Sequence, residues 1–131
     1  MTKIINAIEN LEDMRFIEPA TTEQICEAQN KLGLTFADEY KQYILTYGVV
    51  SAKSIELTGI SNVKRLDVVN VTEEERKFNS KMPDDAYVIA NVGIDGIIII
   101  QDCDGKIYSL MPNEEPEFIC DSLTEYIERY D

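Results

Sequence analysis

The sequence predicts an α+β fold: N-terminal helices, a central twisted antiparallel meander with a short inserted helix, and a C-terminal helix that packs back. Up to residue 48, apolar residues recur at helical spacing, and beyond it short β-branched runs alternate with turns. Two Asp-Gly pairs lie nine residues apart, a spacing typical of successive turns in a meander. At 131 residues the chain is expected to form a single domain over residues 1–131.

Three helices are predicted in the N-terminal third of the chain. The second begins at a capping box, in which the side chains of Thr21 and Gln24 satisfy backbone N–H groups, and Gly33 suits its end. The third begins at Asp38 and ends at Gly48. The apolar residues of the three helices are Ile4, Ile5, Ile8 and Leu11; Ile25, Ala28 and Leu32; and Tyr40, Tyr43, Ile44 and Tyr47.

The middle of the chain is predicted to change from strand to helix. "SIELTGI" (54–60) and "VKRLDVVNV" (63–71) carry β-branched residues in partial alternation, which is typical of strands. Thr72 and Glu75 then have capping-box spacing, so a short helix is expected over residues 72–78.

The second half is predicted to supply the meander and the closing helix. Four short strands are expected over residues 86–92, 96–102, 106–112 and 117–121, separated by turns. A third capping-box pair, Ser122 and Glu125, opens the last helix. The apolar stripe of that helix is Leu123, Tyr126, Ile127 and Tyr130.

Four consecutive isoleucines, Ile97–Ile100, stand between the two Asp-Gly pairs. The run has no polar alternation, which predicts a strand buried on both faces at the centre of the sheet. The aspartates at its ends, Asp95, Asp102 and Asp104, either turn the chain or bind a metal ion. A calcium loop needs glycine at its sixth position, whereas Gly105 would stand at the fourth. Turns are therefore favoured, and neither a metal site nor a cofactor is predicted.

The residues that catalysis most often uses are scarce. The chain has no histidine, so Ser-His and Cys-His pairs are absent. The carboxylate pairs Asp84–Asp85 and Glu114–Glu115 lie in polar loops, where nothing would raise a pKa by desolvation. The tyrosine stripe of the third helix is interpreted as core because it has no basic neighbours. The residues thus indicate a binding domain with no catalytic residues.

The charge of the chain restricts its partners. Twelve basic and twenty-five acidic residues give a net charge of −13, and residues 101–131 hold nine acids and two bases. Nucleic acids and anionic membranes would be repelled. The acidity favours a basic protein partner, although solubility alone would also explain it. Three widely spaced cysteines and an N-terminus too charged for a signal peptide predict a cytoplasmic protein.

"ATTEQICEAQNKLGLTFADEYKQYILTYG" (20–48) resembles the opening of the SUKH superfamily, the Smi–Knr group. The second half agrees with that family in "IELTGI", "VVNVTEEERKF", "YVIANVGIDGIIIIQDCDGKIYSL" and "SLTEYI". The resemblance covers roughly residues 4–130 and is carried by the order and spacing of these motifs. Two places depart from it: Ala37 stands where proline is usual, and Val49–Val50 stand where a second glycine is common.

The resemblance implies an α+β domain with no catalytic residues. Members act as cell-wall synthesis regulators in yeast and as toxin-immunity proteins in bacteria. It therefore implies a bacterial immunity protein that binds a cognate secreted toxin, such as a nuclease, and blocks it by occlusion. The alternative is an intracellular regulatory scaffold of the cell-wall regulator type. A carboxylate hydrolase is the least favoured hypothesis.

Charge and predicted loop position select the partner-binding residues. They lie in the base-poor C-terminal third, where a basic toxin domain would be attracted. Monomer and homodimer both remain open. The predicted partner-binding residues are Asp102, Asp104, Glu114, Glu115 and Glu117.

Overall fold

The computed structural model describes residues 3–92 and 96–129, and over these residues the fold is α+β. A 3₁₀ turn, Lys64–Leu66, precedes the fourth helix. The helices are α1 (Lys3–Glu9), α2 (Thr22–Leu32), α3 (Asp38–Tyr47), α4 (Val68–Phe78) and α5 (Leu123–Glu128). The strands are β1 (Arg15–Phe16), β2 (Val50–Ser51), β3 (Ala86–Asn91), β4 (Ile98–Asp102), β5 (Ile107–Leu110) and β6 (Glu117–Cys120).

The last four strands form the predicted antiparallel meander, in the order β3-β4-β5-β6. Ile98 to Ile100 are buried in the interior strand β4, as the isoleucine run predicted, and Ile97 is half-buried. The predicted turn at Asp95–Gly96 includes residues outside the described part of the chain, so it stays a prediction.

The two faces of this sheet are covered differently. The inner face, which includes Tyr87, Ile99 and Ile107, packs in the main core with apolar residues of α1, α2, α3 and α5. The outer face belongs to a smaller cluster, and α4 contributes only the half-buried Val71 to it. The outer-face residues of that cluster are Ala86, Val88, Ile98, Ile100, Tyr108 and Leu110.

Local hydrogen bonds explain where the predicted helices begin. The Thr21 N–H donates to Gln24 Oε1 at 2.9 Å and the Gln24 N–H donates to Thr21 Oγ1 at 3.1 Å, so that capping box is confirmed. At α5, the Glu125 N–H donates to Ser122 Oγ at 3.1 Å. Each bond satisfies a backbone donor that a helix start leaves unpaired.

The strand predicted over residues 63–71 is wrong, and so is the helix start at Thr72. Asp67 caps α4, because its carboxylate accepts from the Asn70 N–H at 3.2 Å, and the valines that follow are helical. Thr72 is buried inside the helix, where its hydroxyl accepts from the Val88 N–H of β3 at 3.0 Å. Tertiary packing against β3 thus overrides the β preference of "VVNV". The run at 54–60 makes only isolated bridges, including Leu57 with Ala90.

The chain leaves α3 through a tight passage at Gly48. This residue has φ of +75°, and a Cβ atom there would lie 1.8 Å from the Glu18 carbonyl oxygen. Both observations require glycine. The chain then enters β2, an unpredicted two-residue strand that pairs with β1, and Val49 and Val50 are buried. The valines that depart from the family pattern are therefore core residues.

Candidate protein-binding surface

The five predicted partner-binding residues lie at two ends of the sheet. Asp102 ends β4 and Asp104 lies in the β4–β5 turn, whereas Glu114 and Glu115 lie in the connection between β5 and β6, and Glu117 begins β6. These two connections are at opposite ends of β5. The structure therefore groups the three glutamates and separates them from the two aspartates.

Asp102 shapes the β4–β5 turn. Its Oδ1 accepts from the N–H groups of Asp104 and Lys106, each at 3.0 Å, and its Oδ2 accepts from the Tyr108 hydroxyl at 3.1 Å. The Gly105 N–H donates to the Asp102 carbonyl at 2.9 Å, with Gly105 at φ of +93°. The interpretation as a turn is confirmed here. Asp102 is 9% exposed, so it offers a partner little charge; Asp104 is exposed.

The three glutamates lie on the surface at the other end of the sheet, with one basic neighbour. The Lys81 ammonium contacts Glu115 Oε1 at 3.1 Å, which neutralises one of the three carboxylates. Asn79 Nδ2 donates to the Met111 carbonyl at 3.2 Å and fixes the start of their loop to the end of α4. Because Glu114 and Glu117 are exposed, this end of the sheet presents negative charge to solvent.

A second acidic region was missed by the sequence reasoning. A groove of about 740 Å³ lies between α1, α3 and α5. Within the part of the chain that the structure describes, Lys3 is the one basic residue that lines it, and the acidic lining residues are Asp38, Glu39, Glu125 and Glu128. The signal in the sequence was that three of these acids, Asp38, Glu39 and Glu125, stand in the first turn of a helix, where the helix dipole stabilises a carboxylate without any partner.

Glu39 illustrates why an acid in this groove need not be a binding residue. Its carboxylate accepts from the Leu123 N–H, from the Thr124 N–H at 3.2 Å and from the Thr124 hydroxyl at 3.0 Å. Gln101 Nε2 donates to it at 3.0 Å. The side chain therefore joins α3 to the start of α5 and to the sheet, and its charge is satisfied internally.

Three buried tyrosines tie α3 to the sheet. The Tyr43 hydroxyl donates to the Thr58 carbonyl at 2.6 Å and accepts from the Val50 N–H at 3.0 Å. The Tyr87 hydroxyl donates to Gln101 Oε1 at 2.8 Å and accepts from a backbone N–H at 2.9 Å. Tyr40 bonds the Thr58 hydroxyl at 2.9 Å. The interpretation of the tyrosine stripe as core is confirmed.

The chemistry of these tyrosines is that of neutral hydroxyl groups. Burial raises the pKa of Tyr40, Tyr43 and Tyr87 above the ordinary value for a phenol. A buried, hydrogen-bonded phenol that is held neutral cannot serve as a base at neutral pH. These residues therefore stabilise the fold.

Two of the cysteine thiols, Cys103 and Cys120, are also poorly suited to nucleophilic chemistry. Desolvation, followed by the carboxylates of Asp104 and Asp85, raises the pKa of the exposed Cys103 thiol. Desolvation likewise raises the pKa of Cys120, which is buried. Because the thiolate is the reactive form, both shifts lower reactivity.

Residues 3–92 and 96–129 hold neither a cluster of metal-ligating side chains nor a membrane-spanning helix. No group of three or more acidic or cysteine side chains among them is placed to hold a metal ion. None of the helices over the same residues has the length and apolar character needed to cross a membrane.

Comparison with known protein families gives a match over nearly the whole chain. The family model SUKH_5, described as SMI1-KNR4 cell-wall, matches residues 1–130. No curated protein matches the chain.

Proposed function

The chain belongs to the SMI1-KNR4 family, whose members generally act as protein-binding domains, and on this basis we propose that it is a non-catalytic immunity protein. In this proposal it binds the effector domain of a cognate secreted toxin in the cytoplasm and blocks the toxin by occlusion. The observation that carries the proposal is the family match over residues 1–130.

The charge of the chain supports a basic partner. Its net charge of −13 would attract the positively charged surface that a nuclease uses to bind its anionic substrate. An acidic domain seated there would exclude the substrate without any chemical step. Such complexes associate fast at low salt, because opposite fields steer the encounter.

The contact surface in this proposal is the end of the sheet formed by Glu114, Glu115 and Glu117, with Asp104 at the opposite end as a further contact. Asp102 contributes indirectly, because its carboxylate holds the turn that presents Asp104. The exposed carboxylates would face lysines and arginines of the toxin.

Co-expression tests the proposed function. The effector domain of the toxin encoded beside this gene is expressed in cells with and without this chain, and growth and co-purification are measured. Rescue of growth together with a stable complex supports the proposal. Cells poisoned equally in both cases, or rescue without any complex, would contradict it.

Charge reversal tests the contact surface separately. Changing Glu114, Glu115 and Glu117 together to lysine should slow association with that toxin several-fold, with a smaller effect at high salt, because steering is electrostatic. The charge-matched control changes Glu18, Glu23 and Glu27, which are exposed around the start of α2. Association rates are measured by stopped-flow fluorescence. An equal slowing by both variants would show an effect of total charge rather than of this surface.

The regulatory scaffold remains the second candidate, because the description of the matching family names the cell wall. In that role the chain would join an intracellular assembly. Deletion of the gene alone separates the two roles: an altered cell-wall composition without any toxin present favours the scaffold, whereas unprotected cells killed by their siblings favour immunity.

A further inference from the structure

Phe78 is the most exposed of the large hydrophobic residues that the structure describes. It ends α4, and 80% of its surface is accessible to solvent. An isolated exposed apolar side chain needs no explanation, but one beside an apolar depression does. Phe78 lies beside such a depression.

A groove of about 250 Å³ separates α4 from the outer face of the sheet beside Phe78. Val71 and Phe78 line it from one side of the helix, since they are seven residues apart. Val88 of β3 and Ile98 of β4 line it from the sheet. The helix therefore covers the outer face only in part and leaves an apolar slot open to solvent.

Acidic side chains form the rim of this groove. Glu74 and Glu75 line it from α4, one turn before Phe78. Arg65, the one cationic side chain in the lining among the described residues, pairs with the carboxylate of Glu56, so the pair adds no net charge. Asn79, the residue after Phe78, donates a hydrogen bond to the Met111 carbonyl, at the start of the loop that carries Glu114 and Glu115. An apolar slot bordered by net negative charge fits an apolar side chain with cationic neighbours.

We propose that this groove is a docking site for a basic protein segment, in which an apolar side chain flanked by lysine or arginine inserts between α4 and the outer face and packs against Phe78. Aromatic residues at the edge of an apolar pocket are the usual anchors of such contacts. The proposal rests on the proposed protein-binding role, but not on the partner being a toxin. A second copy is disfavoured as the occupant, since each copy carries a charge of −13.

Short fluorescent peptides test the groove without knowledge of the natural partner. The panel holds peptides with one leucine, phenylalanine or methionine flanked by arginine and lysine, and matched peptides flanked by glutamate. Anisotropy should show binding of the basic peptides by the full chain, weakening as salt rises, and none of the acidic ones. Equal binding of both sets, or binding of neither, would overturn the proposal.

Matched variants locate the site. Phe78→Ala should weaken binding of the basic peptides about tenfold or more, as truncation of an anchor does. The control is Phe16→Ala, which removes another exposed phenylalanine, one that contacts Tyr47 and lies outside the groove. Glu74→Gln with Glu75→Gln should weaken binding and reduce its salt dependence. An equal loss in Phe78→Ala and Phe16→Ala would contradict the assignment.

Two further measurements separate this inference from the proposed function. Analytical ultracentrifugation that showed dimers of the wild-type chain, dissociated by Phe78→Ala, would make a second copy the occupant and overturn the proposal. If Phe78→Ala bound the basic peptides as tightly as wild type did, while the chain still bound the neighbouring toxin, the groove would fail and the immunity role would stand. If the peptides bound but no toxin did, the immunity role alone would fail.

Discussion

Aromatic side chains on the two sides of the same sheet differ in burial and in hydrogen bonding. On the inner side, Tyr43 and Tyr87 are fully buried, and each hydroxyl both donates and accepts a hydrogen bond. On the outer side, Phe78 is 80% exposed and borders a groove that α4 leaves open. Buried, fully bonded groups contribute to the free energy of unfolding, whereas an exposed ring contributes little to it.

This difference separates the part of the molecule that maintains the fold from the part available to a partner. The inner face has its polar groups paired across distant segments, such as Tyr43 with Thr58 and Val50. Substitutions there should alter stability first and binding only as a consequence. Substitution of Phe78, the exposed ring beside the outer face, should do the reverse. Each prediction that follows tests one half of this comparison.

Alkaline pH should give the largest effect. Burial raises the pKa of Tyr40, Tyr43 and Tyr87 in the folded chain, while an unfolded tyrosine titrates near 10. Above pH ~10 the unfolded state binds fewer protons, so the free energy of unfolding falls by about 1.4 kcal/mol per tyrosine for each pH unit. This stabilisation is complete below pH ~10 and lost as pH rises toward the folded-state pKa values.

Urea unfolding at a series of pH values from neutral to alkaline measures this slope. Tyr43→Phe should reduce the slope by about 1.4 kcal/mol per pH unit, since one of the titrating hydroxyls is removed. A free energy of unfolding that stayed constant through the titration of free tyrosine would contradict the assignment of these groups as buried and neutral.

The inner face was predictable in part, for a physical reason. The spacing of the tyrosines predicted that they share a helix face, and face sharing is a local property. Their partners are not local: Thr58 and Gln101 lie far along the chain, and Glu39 accepts from residues 84 and 85 positions away. Bonds of this range depend on how the elements pack, which periodicity does not encode.

The outer face was predicted less well, because its features arise from tertiary structure. The residues of "VVNV" prefer strands, yet Asp67 caps them into α4 and Thr72 bonds β3. Because the helix was expected to begin only at Thr72, the sequence did not predict that Phe78 borders a groove. Charge and predicted loop position selected Glu114, Glu115 and Glu117, and such criteria do identify surface acids. The same criteria also selected Asp102, whose carboxylate is engaged in the turn.

Removing one buried hydroxyl should have the next largest effect. Tyr43→Phe leaves the Val50 N–H and the Thr58 carbonyl without their partner in the core, which should lower the free energy of unfolding by about 1–3 kcal/mol. The control is Tyr47→Phe. The Tyr47 hydroxyl has no hydrogen bond within the described residues, so the free energy of unfolding should fall far less in this variant. Urea unfolding at neutral pH measures both. Equal losses would mean that the hydrogen bonds of Tyr43 contribute nothing specific.

The smallest change in stability should come from the residue with the largest proposed role in binding. Phe78→Ala removes a ring that is already mostly hydrated, so the free energy of unfolding should stay within about 0.5 kcal/mol of wild type. Phe36→Ala makes the same substitution at a ring that is 1% exposed and packs edge-on against Tyr40 and Tyr87, and it should cost about 3–5 kcal/mol. Urea unfolding compares the two variants directly. A loss of several kcal/mol in Phe78→Ala would mean that the ring supports the fold, and the contrast between the two faces would then fail. Unchanged stability would leave the Phe78 ring available to bind a partner.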